Sequence, residues 1–273
     1  MSPKKCFVCG TVRNCETYID GVFENIERIR SLFSDIRIIL SYDVSQDLTL
    51  RKLISYKSKY PNYDIHINRS PLSPHRTENI ANARNAILDK MRECTDAKEE
   101  WTHFIMLDFD DVCAEPLDIE VLKDALCLEG WDAISFHRPK YYDLWALSLD
   151  PFYYSCWGLQ DPRAIVEMMR TYIHEKLDNL PKDQVLECDS AFNGFAIYRC
   201  DPFLKCHYDW HIPAKYISRT KMQRNLVAVQ GRAPIGETPD CEHRHFHMQA
   251  KYDYGAKIGI VPRHLFRHWV TSH

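Results

Sequence analysis

Short apolar runs alternate along the chain with stretches whose apolar residues recur at helical spacing. KKCFVCGTV reads as a strand, and residues 18–33 then place Ile19, Val22, Phe23, Ile26, Ile29 and Leu32 three and four apart, the stripe of an amphipathic helix. DIRIILSYDV is a second strand, residues 48–59 a second helix, and YDIHIN a third strand before the polar, proline-containing loop RSPLSPHR. Residues 77–91 set Ile80, Ala83, Ile87 and Leu88 on one helical face with Thr77 as N-cap, and THFIMLDFDDV follows as a fourth strand that runs into three carboxylates. Strands separated by helices pair in parallel, because parallel neighbours need long crossover connections. The fold class expected is therefore α/β, a Rossmann-type, mostly parallel sheet flanked by helices.

The second half is less periodic. WDAISFHRP and SAFNGFAIYR read as two further strands, and residues 163–176 as a helix that buries Ile165, Met168, Met169 and Ile173. The His-rich, aromatic remainder predicts an irregular C-terminal lobe. Residues 141–157 hold four tyrosines, two tryptophans and a phenylalanine, enough either for core or for a platform on which sugar rings stack.

Composition narrows the function. With 273 residues the chain can build one full core, so a single domain is expected, and 45% hydrophobic against 27% charged residues excludes disordered and fibrous classes. The net charge of -3 and the lack of a basic stripe argue against nucleic acid as a partner. No apolar window has the length of a spanning helix and MSPKKCFVCG lacks a signal-peptide core, so a cytoplasmic location is expected unless an anchor has been removed. The 11 cysteines are odd in number and several fall in strand-like runs, which predicts reduced thiols. Cys6 and Cys9 form a C-x-x-C inside such a run, with no second pair at zinc spacing.

Candidate chemistry concentrates in FIMLDFDDV. Ligands of open α/β sheets bind at the carboxyl ends of strands, and Asp108, Asp110 and Asp111 sit at such an end. Residues i and i+2 of a strand share a face, so Asp108 and Asp110 crowd two like charges that a Mg²⁺ or Mn²⁺ ion would offset while bridging to phosphate oxygens. Arg13, Arg76 and Arg84 lie in strand-to-helix loops or early in helices on the same sheet edge, placed to meet a diphosphate. Asp43, in SYDVSQDLT, is a candidate for base or ribose, whereas Asp47 or Ser45 suits a helix cap. CEHRHFH packs Glu242, His243, His245 and His247 together, and as an extended segment it would present all three imidazoles on one face to complete a metal shell.

TVRNCETYIDGVFENIERI, SYDVSQDLT, RTENIANARNAILDKM, FIMLDFDDV, YYDLWAL, SAFNGFAIYR and CEHRHFH, in that order, resemble the signatures of GT-A-type glycosyltransferases similar to the fungal capsule-associated α-1,3-mannosyltransferases, glycosyltransferase family 69. The resemblance runs from about Cys6 to His247. It implies a GT-A-like catalytic domain over residues 1–273, with residues 1–115 binding the nucleotide sugar and residues 116–273 facing the acceptor. It implies cation and donor contacts for Asp108, Asp110 and Asp111, and donor contacts for Arg13, Asn14, Arg84 and Asn85. It further implies sugar or acceptor contacts for Asp143, Trp145, Ser190 and Asn193, and a role for the C-E-H segment, in which His245 is an added histidine. The activity implied is metal-dependent transfer of a hexose from a GDP- or UDP-sugar to a glycan or other hydroxyl acceptor, as in polysaccharide biosynthesis. Those relatives form α linkages from α-linked GDP-mannose, which implies retention; an inverting enzyme would need a carboxylate base, for which Asp189 and Glu242 are the candidates. Two other readings fit parts of the sequence: an aspartate-nucleophile phosphohydrolase using DFDDV, and a catalytically inactive nucleotide-sugar-binding protein.

Overall fold

The structure is a computed structural model that describes residues 4–95, 101–154, 162–231 and 239–267. β1 (Lys5–Val12), α1 (Ile19–Arg30), β2 (Asp35–Tyr42), α2 (Thr49–Tyr56), β3 (Tyr63–Ile67), α3 (Arg76–Thr95) and β4 (Trp101–Leu107) follow the expected alternation. Then come α4 (Asp111–Ala114), α5 (Ile119–Leu126), β5 (Ala133–His137), α6 (Pro162–Asp178), β6 (Leu186–Cys188), β7 (Phe195–Arg199), the short α7 (Cys200–Phe203), α8 (Arg219–Ala228), α9 (Glu242–Tyr254) and β8 (Ile258–His264). The strands form one eight-stranded sheet in the order β3-β2-β1-β4-β7-β5-β8-β6. β3, β2, β1 and β4 are parallel; β7 runs antiparallel to both β4 and β5; β8 is parallel to β5, and β6 closes the edge antiparallel.

The mixed α/β sheet expected from the sequence is thus present, but the C-terminal half is more regular than expected. Its strands continue the N-terminal sheet instead of forming a separate irregular lobe, and β6 and β8, which the apolar pattern did not flag, complete it. Two apolar layers cover the faces. One packs α1 and α5 against one face of the sheet through Val22, Phe23, Ile26, Val121 and Leu122; the other packs α3, α6 and α9 through Ile87, Leu88, Ile165, Ile173 and Phe246. The ten cysteines among the described residues are free, and Cys6 and Cys9 are wholly buried in β1, as their strand context required.

Two local expectations are corrected. Thr77 is not an N-cap: α3 begins at Arg76, and Thr77 lies buried within its first turn. CEHRHFH is not extended: Glu242 opens α9, which ends at Gly255 with φ 75°, the left-handed closing residue that glycine favours. A helical pitch separates the three imidazoles. His243 and His247, four residues apart, stack at 5.4 Å, while His245 projects from another face. No helix among the described residues is long and apolar enough to cross a membrane.

Of the aromatic cluster, Tyr141, Phe152, Tyr153 and Tyr154 are buried core. Trp145 instead faces the cavity described below, and Trp157 lies outside the described residues.

Candidate functional site

A cavity of about 820 Å³ opens at the carboxyl ends of β1, β2 and β4. Its wall takes Thr11 to Arg13 from the end of β1, Asp43 from β2, and Asp108, Phe109 and Asp110 from β4. Arg76, Asn79 and Arg84 enter from the first turns of α3; Tyr142, Asp143 and Trp145 from the turn after β5; and Glu242 and His243 from the start of α9. Two helix N-termini therefore border a space that already holds three arginines, an arrangement suited to an anion.

The acid pair owes its placement to Phe109. Its ring is 1% exposed and packs edge-on to Phe23, 6.0 Å between centroids, so the flanking Asp108 and Asp110 are turned to the cavity side. Gly10 on β1 makes room for that ring. A Cβ there would lie 2.6 Å from Phe109 Cε2 and 2.8 Å from the Leu107 carbonyl oxygen. Gly10→Ala is therefore expected to cost about 1–3 kcal/mol through overpacking, measured by denaturant unfolding; an unchanged midpoint would remove Phe109 from this account.

Asp108 Oδ2 accepts a hydrogen bond from the Tyr142 hydroxyl at 2.7 Å, and its Oδ1 lies 3.4 Å from Arg84 Nη2. Asp110 caps α4, its Oδ1 accepting from the Val112 N–H at 3.1 Å. Burial, and next the charge of Asp108, push the Asp110 carboxyl up to about 7. Asp111 is the first residue of α4 and is not on the cavity wall, although its charge adds to the rise of Asp110.

Arg84 is the hub. It is 4% exposed, with Nε 3.3 Å from Glu242 Oε1 and its guanidinium stacked 4.7 Å from the Phe192 ring. Burial opposes its charge, but Glu242 and Asp108 outweigh that and hold its pKa above the usual range. His243 contacts Arg84 through Nε2, stacks on Phe192 at 3.8 Å, and has its pKa pushed well below the usual range by burial. Burial also raises Glu242, against the pull of Arg84. Asp143 is pushed up to about 7 by burial and then by Asp108, and its Oδ1 accepts from the Ala146 N–H at 3.1 Å. At the far side, Asp43 is buried and accepts from Asn68 Nδ2 at 2.8 Å. Asp47 is not the N-cap of α2, which is Leu48, but from one residue before it accepts from the Thr49 N–H at 3.0 Å.

Several expected site residues serve elsewhere. Asp189 is corrected as a candidate base: it lies away from the cavity wall, ion-paired with Lys221 at 2.5 Å and Lys251 at 3.0 Å, and its pKa falls despite burial because those lysines bond to it. His247 is corrected as a candidate metal ligand. It is wholly buried, bonded to Ser190 Oγ at 2.9 Å and to the Tyr198 hydroxyl at 3.0 Å, and Ser190 does not line the cavity. His245 lies beside Asp209 and His207, outside the cavity.

Asn14, Asn85 and Asn193 hold backbone. Asn14, at φ 52°, accepts from the Gln46 N–H; Asn85 bonds both polar backbone groups of Tyr208; and Asn193, at φ 54°, accepts from the N–H groups of Tyr142 and Asp143 at 3.3 Å, which fixes the turn carrying Asp143. Tyr142 and Arg138 had no role in the sequence reading. Arg138 is buried, donates to the Val112 and Asn193 carbonyls at 2.7 and 3.0 Å, and ties the acid turn to the Asn193 turn. Tyr142 precedes Asp143 in the YYD triplet, and that adjacency was its only signal.

No protein-family model matches the sequence, and no curated protein matches it. Among solved structures the chain is similar to S. aureus TarS residues 1–349 in complex with UDP-GlcNAc, at 15% identity and a TM-score of 0.50, over 98% of this chain and 59% of that one. Weaker similarity extends to the mannosyltransferase PcManGT from Pyrobaculum calidifontis in complex with GDP-Man and Mn²⁺, at 12% identity and TM-score 0.41 over 95% of this chain and 58% of that one. It extends also to glucosyl-3-phosphoglycerate synthase from Mycobacterium tuberculosis in complex with Mg²⁺ and UDP, at 12% identity and TM-score 0.37 over 72% and 57%. The chain spans less than three-fifths of the length of each. The likeness to TarS establishes the fold, a GT-A-like mixed α/β sheet.

Proposed function

We propose that the chain is a metal-dependent glycosyltransferase that moves a hexose from a GDP- or UDP-sugar to a hydroxyl acceptor such as a glycan. The observation that carries this reading is the meeting of Asp108 and Asp110 with Arg13, Arg76 and Arg84 on one cavity wall. A divalent cation among acids, facing cations, is the arrangement a leaving diphosphate needs. The TarS structure of like fold contains UDP-GlcNAc, which supports a nucleotide-sugar donor here.

The residues fit a hard cation. Asp108 and Asp110 share the cavity wall, and the charge of Asp108 adds to burial in raising Asp110, a repulsion that a bound cation would relieve. With His243 turned to Arg84 and His245 and His247 elsewhere, the ligands are carboxylates, which suits Mg²⁺ or Mn²⁺ over zinc. Asp108 and Asp110 would hold the ion, which when bound offsets charge on the leaving diphosphate. Asp43 takes the ribose or base side, and Arg13 and Arg76 the diphosphate. Arg84 acts through its partners, orienting Asp108 and Glu242.

Of the cavity carboxylates, Glu242 is committed to Arg84, which leaves Asp143 to take the acceptor proton; its raised pKa, about 7, matches that task. Asp143→Asn is expected to lower transfer by about 10²-fold, as for loss of a general base. Donor hydrolysis by water should fall less, so equal losses of both in nucleotide-release assays would assign Asp143 a different part.

The reading itself is tested by thermal shift and nucleotide release with Mn²⁺ and GDP-mannose, UDP-glucose or UDP-GlcNAc. A donor that raises the melting temperature only with metal, and releases GDP or UDP, is expected. Release of phosphate from small phosphoesters with no response to any sugar nucleotide would overturn it in favour of a phosphohydrolase. Donor binding with no turnover toward any acceptor or water would make the chain a binding protein.

A further inference from the structure

His245, displaced from the cavity by the pitch of α9, meets a second set of ligands. The segment at residues 206–210, outside any helix or strand, runs between α3 and α9, with Cys206 and Tyr208 buried and His207 exposed. Asn85 bonds the Tyr208 N–H at 2.8 Å and the Tyr208 carbonyl at 2.9 Å, standing in for a strand partner. The Tyr208 ring stacks on Phe246 at 4.0 Å and is buried, while its neighbours His207 and Asp209 are exposed and half-buried on the other side of the segment. There, one ligand atom each from His207, Asp209 and His245 lie within 4.8 Å of one another.

We propose that His207, Asp209 and His245 form a second metal site, for a transition-metal ion such as Zn²⁺ and separate from the carboxylate cavity. Imidazole and carboxylate together select such an ion over Mg²⁺. The ligands are already held. Asp209 Oδ1 accepts from the His211 N–H at 2.9 Å and lies 2.6 Å from His211 Nδ1, which leaves Oδ2 on the His245 side, 3.9 Å from its Nδ1. The His207 N–H donates to Gln249 Oε1, one turn along α9 from His245, at 3.0 Å, and the two imidazoles lie 4.9 Å apart. The bonds from His211 lie behind the Asp209 carboxylate and orient it as a metal ligand, whereas the Gln249 bond fixes only the backbone that carries His207. Lys215, the nearby cation, is paired with Asp253 at 3.3 Å. His207 is exposed, and Asp209 and His245 are half-buried, so a hydrated ion reaches them directly.

A comparable group, His137, His174 and Asp178, is less suited: the Tyr141 N–H already takes the His174 Nε2 lone pair at 3.2 Å, and His137 is 1% exposed. An ion at the His207 site would staple the Tyr208 segment, whose ring flanks Arg84 at 5.7 Å, to the helix that delivers Glu242 and His243 to the cavity.

The test is equilibrium dialysis of the full chain against Zn²⁺ with excess Mg²⁺ present. One zinc per chain is expected in the wild type and equally in Asp110→Asn, which separates this site from the proposed donor cation. His245→Ala and His207→Gln should each weaken binding at least about tenfold, with metal-free melting temperatures unchanged; His207 is exposed, so its variant folds even if the other does not. Cobalt substitution should give visible bands without thiolate charge transfer. Undiminished zinc affinity in folded His207→Gln, loss of zinc in His174→Ala instead, a thiolate band, or no zinc uptake at all would each overturn the proposal.

Discussion

Asp110→Asn is expected to lower metal-dependent transfer by about 10³-fold or more while leaving the protein at least as stable as the wild type. The activity loss follows from the charge a cation contributes: several kcal/mol of stabilisation on the leaving diphosphate, at about 1.4 kcal/mol per factor of ten. The stability follows from what asparagine keeps and what it removes. Its side-chain oxygen still accepts the Val112 N–H that caps α4, and the repulsion from Asp108 that helps raise Asp110 is gone. Nucleotide release over a Mn²⁺ series, with a melting curve on the same sample, reads both. Turnover that survives the substitution and ignores chelator would end the metal-dependent reading. A large fall in melting temperature would mean instead that Asp110 is a structural acid.

The same motif shows how far the residues alone could go. FIMLDFDDV was legible because three levels agreed: an apolar strand, its carboxyl end, and acids spaced so that Phe109 must bury while its neighbours turn outward. The alternation of strand and helix fixed β1 to β4 in the same way. CEHRHFH misled because histidines at every second position mimic the period of a strand. The competing helical signal was present in the spacing of Glu242, Phe246 and Ala250 and in the closing Gly255, and tertiary burial of Phe246 and His247 decided the outcome. β8 was missed because IGIV is short and flanked by charged and aromatic residues. Asp189 could not have been excluded from sequence at all, since its partners Lys221 and Lys251 lie 32 residues away on α8 and in distant α9. Long-range pairing of charge carries no local mark.

Arg84 illustrates the opposite case, a residue whose burial was written in the pattern. It falls four positions after Ile80 and three before Ile87, on the apolar stripe of α3, where an arginine is expensive unless it is paired. The structure supplies Asp108 at 3.4 Å and Glu242 at 3.3 Å, with side chains 5% exposed on both members of the second pair. Removing one member of such a group leaves the others buried without compensation. Arg84→Ala is accordingly expected to destabilise the protein by about 3–5 kcal/mol, and to lose its stacking on Phe192 as well. If the cost is electrostatic, Glu242→Gln introduced with Arg84→Ala recovers part of it, because the stranded carboxylate is gone; if it is packing alone, the two losses add. Denaturant unfolding of the two single variants and the double variant separates these outcomes. A single-variant loss under about 1 kcal/mol, the range of an exposed ion pair, would show that Arg84 is not the hub that binds the β4 acids to α9.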